Sequence, residues 1–178
     1  MMKKIFLFAL CCITTSIAFS QPDSSPSPSS NRFKRKNSVQ LELGGHGLAY
    51  SLNYERNLLN ARFFKTSVQL GFSFYPKPID LRSRLWIPLS INQLFSLKQH
   101  HLEAGLGLVF TQFQNYSIEG SMIAENKLET FISGKIGYRY QKPEGRMQYK
   151  ILFTPLLEKE YSGYEFHPLA AVSIGYTF

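Results

Sequence analysis

From Ser38 to Phe178 apolar and polar residues alternate almost one for one, and a period of two specifies β-strand rather than amphipathic helix. Leu48, Tyr50, Leu52 and Tyr54 alternate with Ala49, Ser51, Asn53 and Glu55. Leu102, Ala104, Leu106, Leu108 and Phe110 stand against Glu103, Gly105 and Gly107, and Val172, Ile174, Tyr176 and Phe178 end the series. The alternation predicts long strands over about 47–56, 62–75, 84–97, 100–114, 127–141, 146–157 and 165–178. The connections alternate as well. Asn57 to Asn60, Lys98-Gln99 and Lys142 to Gly145 are tight, whereas Pro76 to Ser83, Asn115 to Asn126 and Glu158 to Tyr164 are longer.

Short turns on one side and long loops on the other are the pattern of an antiparallel membrane barrel, whose short turns face the periplasm. The strand entering Asn57 then starts outside, so a chain arriving from the periplasm needs one further strand. Ser38 to Gly44 supplies it, with Val39, Leu41 and Leu43 on one face and Gly45-His46-Gly47 as the hairpin. The expected fold is all-β: an eight-stranded antiparallel up-and-down transmembrane β-barrel over 38–178. Its first strand is short against the roughly 9–11 residues needed to span a bilayer.

Charge placement says which face meets lipid. Gln40, Glu42, Asn53, Glu55, Lys65, Gln69, Glu103, Lys135, Arg139, Gln148 and Lys150 share the polar parity, and the apolar parity is nearly free of charge at mid-strand. A Lys or Arg facing lipid at mid-depth costs about 2–4 kcal/mol, so such sorting is strongly favoured. Aromatics form two predicted girdles. Tyr54, Phe64, Tyr138, Tyr140, Tyr149, Tyr176 and Phe178 fall at the periplasmic ends, and Phe72, Phe74, Phe110, Phe153 and Phe166 toward the outer ends. Several residues break the pattern. Gln93 on the lipid parity suggests a bulge near Asn92, while Leu152, Leu156 and Leu169 point inward. Pro88, Pro155 and Pro168 lie within strands, near the outer rim where bulges are common.

The N-terminus reads as a secretory signal peptide over 1–20. Lys3 and Lys4 precede an apolar stretch from Ile5 to Phe19, and Ala18 and Ser20 are the small residues at the −3 and −1 positions of a cleavage before Gln21. Both cysteines, Cys11 and Cys12, lie inside it, so no disulfide would stabilise the mature domain. Residues 21–37 read as a disordered Pro/Ser-rich and basic linker that can touch anionic lipid headgroups. The formal charge of +8, reduced to +6 without Lys3 and Lys4, is therefore assigned to solvated surface, and nucleic acid is not an expected partner.

The chain resembles the small outer-membrane β-barrel proteins of Bacteroidetes-type bacteria, OmpA/OmpX-like eight-stranded barrels. The residues that carry the resemblance are Leu41-Glu42-Leu43-Gly44-Gly45-His46-Gly47, running into Tyr50-Ser51-Leu52-Asn53-Tyr54-Glu55-Arg56, and His167-Pro168 with Ser173 to Phe178. The terminal Phe178 with its alternate apolar residues is similar to the signal read by the barrel-assembly machinery. The resemblance implies an outer-membrane location in a Gram-negative cell and carries no known active site.

An eight-stranded barrel is only wide enough for side chains to fill it. Arg139 with Glu103, and Glu55 with Lys65 across a hairpin, are expected to form an interior ion-pair network that plugs the lumen. No catalytic, cofactor-binding or metal-binding residue is assigned. His46 and His167 at the outer rim are candidates for a lipid-modifying base, but no nucleophile is singled out beside them, and His100-His101 mark a periplasmic turn. Gly105-Leu106-Gly107 precedes no helix and is read as strand packing. The expected role is structural or surface-interacting through the outer loops, especially 115–126. The expected partners are outer-membrane lipid and the assembly machinery, and the expected state is a monomer. A rim-located enzyme, a small-solute channel or ligand carrier, and a soluble lipocalin-like barrel remain the alternatives.

Overall fold

The computed structural model describes residues 32–75, 83–115, 125–160 and 163–178. The expected signal peptide, the Pro/Ser stretch to Ser30 and most of the loops after Tyr75 and Asn115 lie outside the described residues. The strand segments are β1 (Asn37–Gly44), β2 (Tyr50–Asn60), β3 (Phe64–Phe74), β4 (Ser83–Leu97), β5 (His100–Asn115) and β6 (Glu125–Gln141). After them come β7 (Met147–Phe153), β8 (Leu156–Glu160), β9 (Gly163–His167) and β10 (Ala170–Thr177).

All pairings are antiparallel, in the order β5-β4-β3-β2-β1-β10-β7-β6, and β5–β6 pairing closes the ring. The barrel has eight staves, since β8 and β9 continue β7 and β10 beyond two proline breaks. Pro155 has no N–H to give the ladder, so the staves part there. Gly134 N–H bonds the Pro155 carbonyl at 2.9 Å, and Thr154 N–H bonds the Leu169 carbonyl at 2.7 Å. Pro88 acts differently. It stays paired with Val109 in β5, whereas the β3–β4 ladder skips from Leu70↔Leu89 to Ser73↔Trp86.

The expected bulge near Asn92 is absent: Asn92 and Gln93 pair in unbroken register with Gly105 and Ala104. Gln93 does face outward, but it accepts a hydrogen bond at 2.7 Å from Thr66, its cross-strand neighbour. Two polar side chains that satisfy each other need no distortion of the ladder. Register shifts occur instead at Asn57/Leu59 and Ser83/Leu85, near opposite ends of the barrel.

Orientation follows the pleat without exception through the middle of the sheet. Leu41, Leu52, Leu70, Ile91, Leu106, Ile136, Ile151 and Val172 are exposed, and Gln40, Asn53, Gln69, Asn92, Lys135, Lys150 and Ser173 are buried. An exterior of apolar side chains around a polar interior is the reverse of a soluble barrel.

The β1–β2 hairpin folds inward as a single 3-10 turn, with Gly45, His46 and Gly47 all buried. Gly44 and Gly45 take φ of +78° and +70°, and a methyl at Gly45 would stand 2.8 Å from both Ala171 Cβ and Glu42 Oε1. Gly45→Ala is therefore expected to destabilise the barrel by about 2 kcal/mol, from left-handed backbone strain and crowding. Urea unfolding of the refolded protein measures it. A change within about 0.5 kcal/mol would mean that the hairpin does not dock inside.

Candidate functional site

The lumen gathers the ionisable groups that the alternation turned inward. Arg139 on β6 reaches across to Glu55 on β2 at 2.6 Å and binds Glu103 on adjacent β5 at 2.7 Å. Lys150 on β7 lies 2.8 Å from Glu55 and 3.5 Å from Glu103. All four side chains are at most 1% exposed. Two cations thus alternate with two carboxylates, and the contacts to Glu55 span the barrel rather than one ladder. Gln40 and Ser67 donate further hydrogen bonds to Glu55. Above this knot Lys135 donates to Gln69 at 2.9 Å, a second cross-lumen brace.

The expected Glu103–Arg139 pair is present, but the expected Glu55–Lys65 pair is not. In register Glu55 faces Gln69, and Lys65 lies near the turn opposite Asn60. Lys65 donates to Ser96 Oγ at 2.7 Å and places its ammonium 4.7 Å from the centre of the Phe33 ring. Because β2 runs on to Asn60, the hairpin register keeps Lys65 away from Glu55, and Glu55 takes its cations from across the bore instead.

Both mouths are filled. At the short-turn end, Phe33 is buried, and its ring meets His101 edge-on at 5.1 Å. Asn60 clamps its backbone, accepting from Phe33 N–H at 3.0 Å and donating to its carbonyl at 2.7 Å. Lys34 N–H bonds the Pro143 carbonyl at 3.0 Å, and Arg35 donates to the Glu144 carbonyl at 2.7 Å. Residues 32–36, expected to be disordered linker, instead pack against the mouth. The sequence marks them as polar and basic; the single apolar side chain among them supplies the anchor. At the other end Tyr75, Trp86, Val109, Phe131 and Leu156 form an apolar plug, with Trp86 and Phe131 stacked at 5.7 Å. Tyr75 donates to the Gly47 carbonyl and accepts from Ala49 N–H, tying the plug to the inward hairpin.

The histidines do not converge. His46 is buried and bonds the Gly134 carbonyl at 2.9 Å. His101 is buried between Ser96 Oγ at 2.8 Å and the Gln141 carbonyl at 3.0 Å. His167 lies on the β8–β9 hairpin with Glu158 at 3.3 Å and Glu165 at 3.9 Å. Gly105 and Gly107 sit in β5, packed against Asn92 and Ser90, as strand residues do.

No protein-family model matches the chain, and no curated protein matches it. Solved structures do. The N-terminal β-barrel domain of Pseudomonas aeruginosa OprF is similar over 82% of this chain and 100% of its own, at 14% identity and a TM-score of 0.52. The Yersinia pestis outer-membrane protein Ail, solved in a phospholipid bilayer nanodisc, is similar over the same shares at 14% identity and a TM-score of 0.42. The likeness to the OprF domain is one of fold: a closed antiparallel barrel of eight strands.

Proposed function

We propose that the chain is an integral outer-membrane barrel, closed along its axis, whose role is structural or surface-interacting through its outer loops. The observation that carries this reading is the inside-out sorting: a braced ionic lumen inside a continuous apolar wall. Such a wall is stable where hydrocarbon, not water, covers it. The sequence stretches around Leu41–Gly47 and Ser173–Phe178 support a Bacteroidetes-type origin. On this reading the chain is not an enzyme, needs no cofactor, works as a monomer, and has lipid and the assembly machinery as its partners.

Fractionation of cells expressing the full chain checks the location. The protein should sediment with outer membranes, resist carbonate extraction, and migrate differently on gels before and after boiling. Recovery in the soluble periplasm without detergent would end the membrane reading.

A second reading, a narrow ion path, has one observation in its favour. Glu42 Oε2, Asn53 Oδ1, Asn92 Oδ1 and Ser133 Oγ are buried without a hydrogen-bond partner among the described residues, and polar atoms of this kind can hold water. Planar-bilayer recording separates the two. The closed lumen is expected to pass no steady current, and regular single-channel steps in the wild-type chain would establish the path instead.

A further inference from the structure

The two ends of the barrel carry different charge. At the short-turn end Arg32, Lys34, Lys36, Arg56, Arg62, Lys98, Lys142 and Arg146 are exposed and Arg35 is half-buried. Glu144 is the one acidic side chain among the described residues there. At the long-loop end, the strand segments β6, β8 and β9 carry Glu125, Glu129, Glu158, Glu160 and Glu165 together with Lys127 and Lys159, and β4 carries Arg84, so acidic positions outnumber basic ones there. We propose that the short-turn end is a docking collar for the phosphate-bearing headgroups of an anionic phospholipid leaflet. The proposal rests on the membrane reading above and adds a specific lipid partner to it.

Geometry favours a bilayer surface over a soluble polyanion. The cations come from four separate places: the segment before β1, the β2–β3 turn, the β4–β5 turn and the β6–β7 turn. They therefore ring the barrel instead of lining one groove. Two of them are seated on outward aromatics. Arg146 lies 6.0 Å from the Tyr176 ring centre and donates to its hydroxyl at 2.8 Å, and Arg62 lies 5.3 Å from the Phe63 ring. Aromatic girdles sit at headgroup depth, so guanidinium groups stacked on them sit at the level of the phosphates. Arg56 makes the same point from the strand itself. It projects from the lipid-facing parity at the end of β2, between Tyr54 and Leu58, and its charge is accommodated where it can reach a phosphate. The docked segment 32–36 holds Lys34 and Lys36 at the rim, because its backbone is pinned to Pro143 and to Asn57. Cations near an anionic surface attract it within about one Debye length, close to 10 Å at 0.1 M salt.

The test uses the full chain refolded into phosphatidylcholine vesicles that contain trace spin-labelled phosphatidylglycerol or spin-labelled phosphatidylcholine. The motionally restricted fraction of each label gives their relative association with the barrel surface. Phosphatidylglycerol should be preferred by about threefold or more at low salt, and the preference should collapse toward unity in 0.5 M salt, within about a 5 Å screening length. Charge reversal at exposed positions, Lys34→Glu with Lys36→Glu and Lys142→Glu, should remove most of it. Lys127→Glu with Lys159→Glu at the other end should leave it intact. Millimolar inorganic phosphate should not compete; full competition would assign the collar to free phosphate and overturn the lipid proposal. Equal association of the two lipids at low salt would overturn it too, with the barrel correctly inserted. Failure to insert into vesicles would count against the membrane reading itself, so the two failures are distinguishable. The salt series on the unaltered protein decides the matter even if a reversed variant does not fold.

Discussion

Arg139→Met should lower the unfolding free energy of the refolded barrel by about 3–5 kcal/mol, the cost of stranding buried charge. The substitution keeps much of the side-chain volume and deletes the cation that contacts Glu55 at 2.6 Å and Glu103 at 2.7 Å. Lys150 is then left between two buried carboxylates. One ammonium cannot balance both in a low-dielectric bore, and the surplus charge must be neutralised or reached by water. Adding Glu103→Gln should recover most of the loss, since Lys150 and Glu55 then form a balanced pair. The single tryptophan, Trp86, is buried in the apolar plug, so its fluorescence in a urea titration reports opening of the barrel directly. If the double variant were no more stable than the single one, lost packing rather than stranded charge would be responsible. A loss within about 1 kcal/mol would mean that the four groups behave as solvated surface charges, and the ion-path reading would then replace the closed lumen.

Much of this was legible in the sequence because a membrane barrel writes its fold at a period of two. The turn at Lys98-Gln99, the lipid face and the Glu103–Arg139 neighbours follow from local alternation and hairpin parity. Two connections do not: the expected turn Asn57 to Asn60 is the end of β2, and most of the expected loop Glu158 to Tyr164 is the β8–β9 ladder. Cross-bore contacts do not follow either. The partners of Glu55 lie 84 and 95 residues away, and the set of facing staves depends on barrel shear, which no single hairpin encodes. Lys65 is ruled out for a different reason: β2 continues to Asn60, so the hairpin register sets Gln69, not Lys65, opposite Glu55. Phe33 was hidden differently. One apolar residue within Arg32-Phe33-Lys34-Arg35-Lys36 carries no periodic signal, and its burial depends on a mouth built by residues on β2, β3 and β5. The prolines were visible, but not their separate effects: Pro155 breaks a stave, while Pro88 interrupts only one of its two ladders.

Leu106→Arg should cost about 2–4 kcal/mol in phosphatidylcholine vesicles, whereas Leu97→Arg should cost no more than about 1 kcal/mol. Both leucines point out of the barrel and are similarly open, at 73% and 69% exposure, so water would treat the two substitutions alike. Their heights differ. Leu106 lies at the middle of β5, between Ile91 and Gly134, whereas Leu97 ends β4 beside the Lys98 turn. Hydrocarbon makes that difference energetic: a guanidinium at mid-depth must drag water or headgroups inward, and one at the rim already has both. A depth-dependent cost among equally exposed positions on one parity is therefore a signature that a bilayer produces and a soluble barrel cannot. Unfolding the two variants by urea in the same vesicles measures it. Equal, near-zero costs would place the apolar wall in contact with something other than lipid and would withdraw the physical basis of the membrane reading.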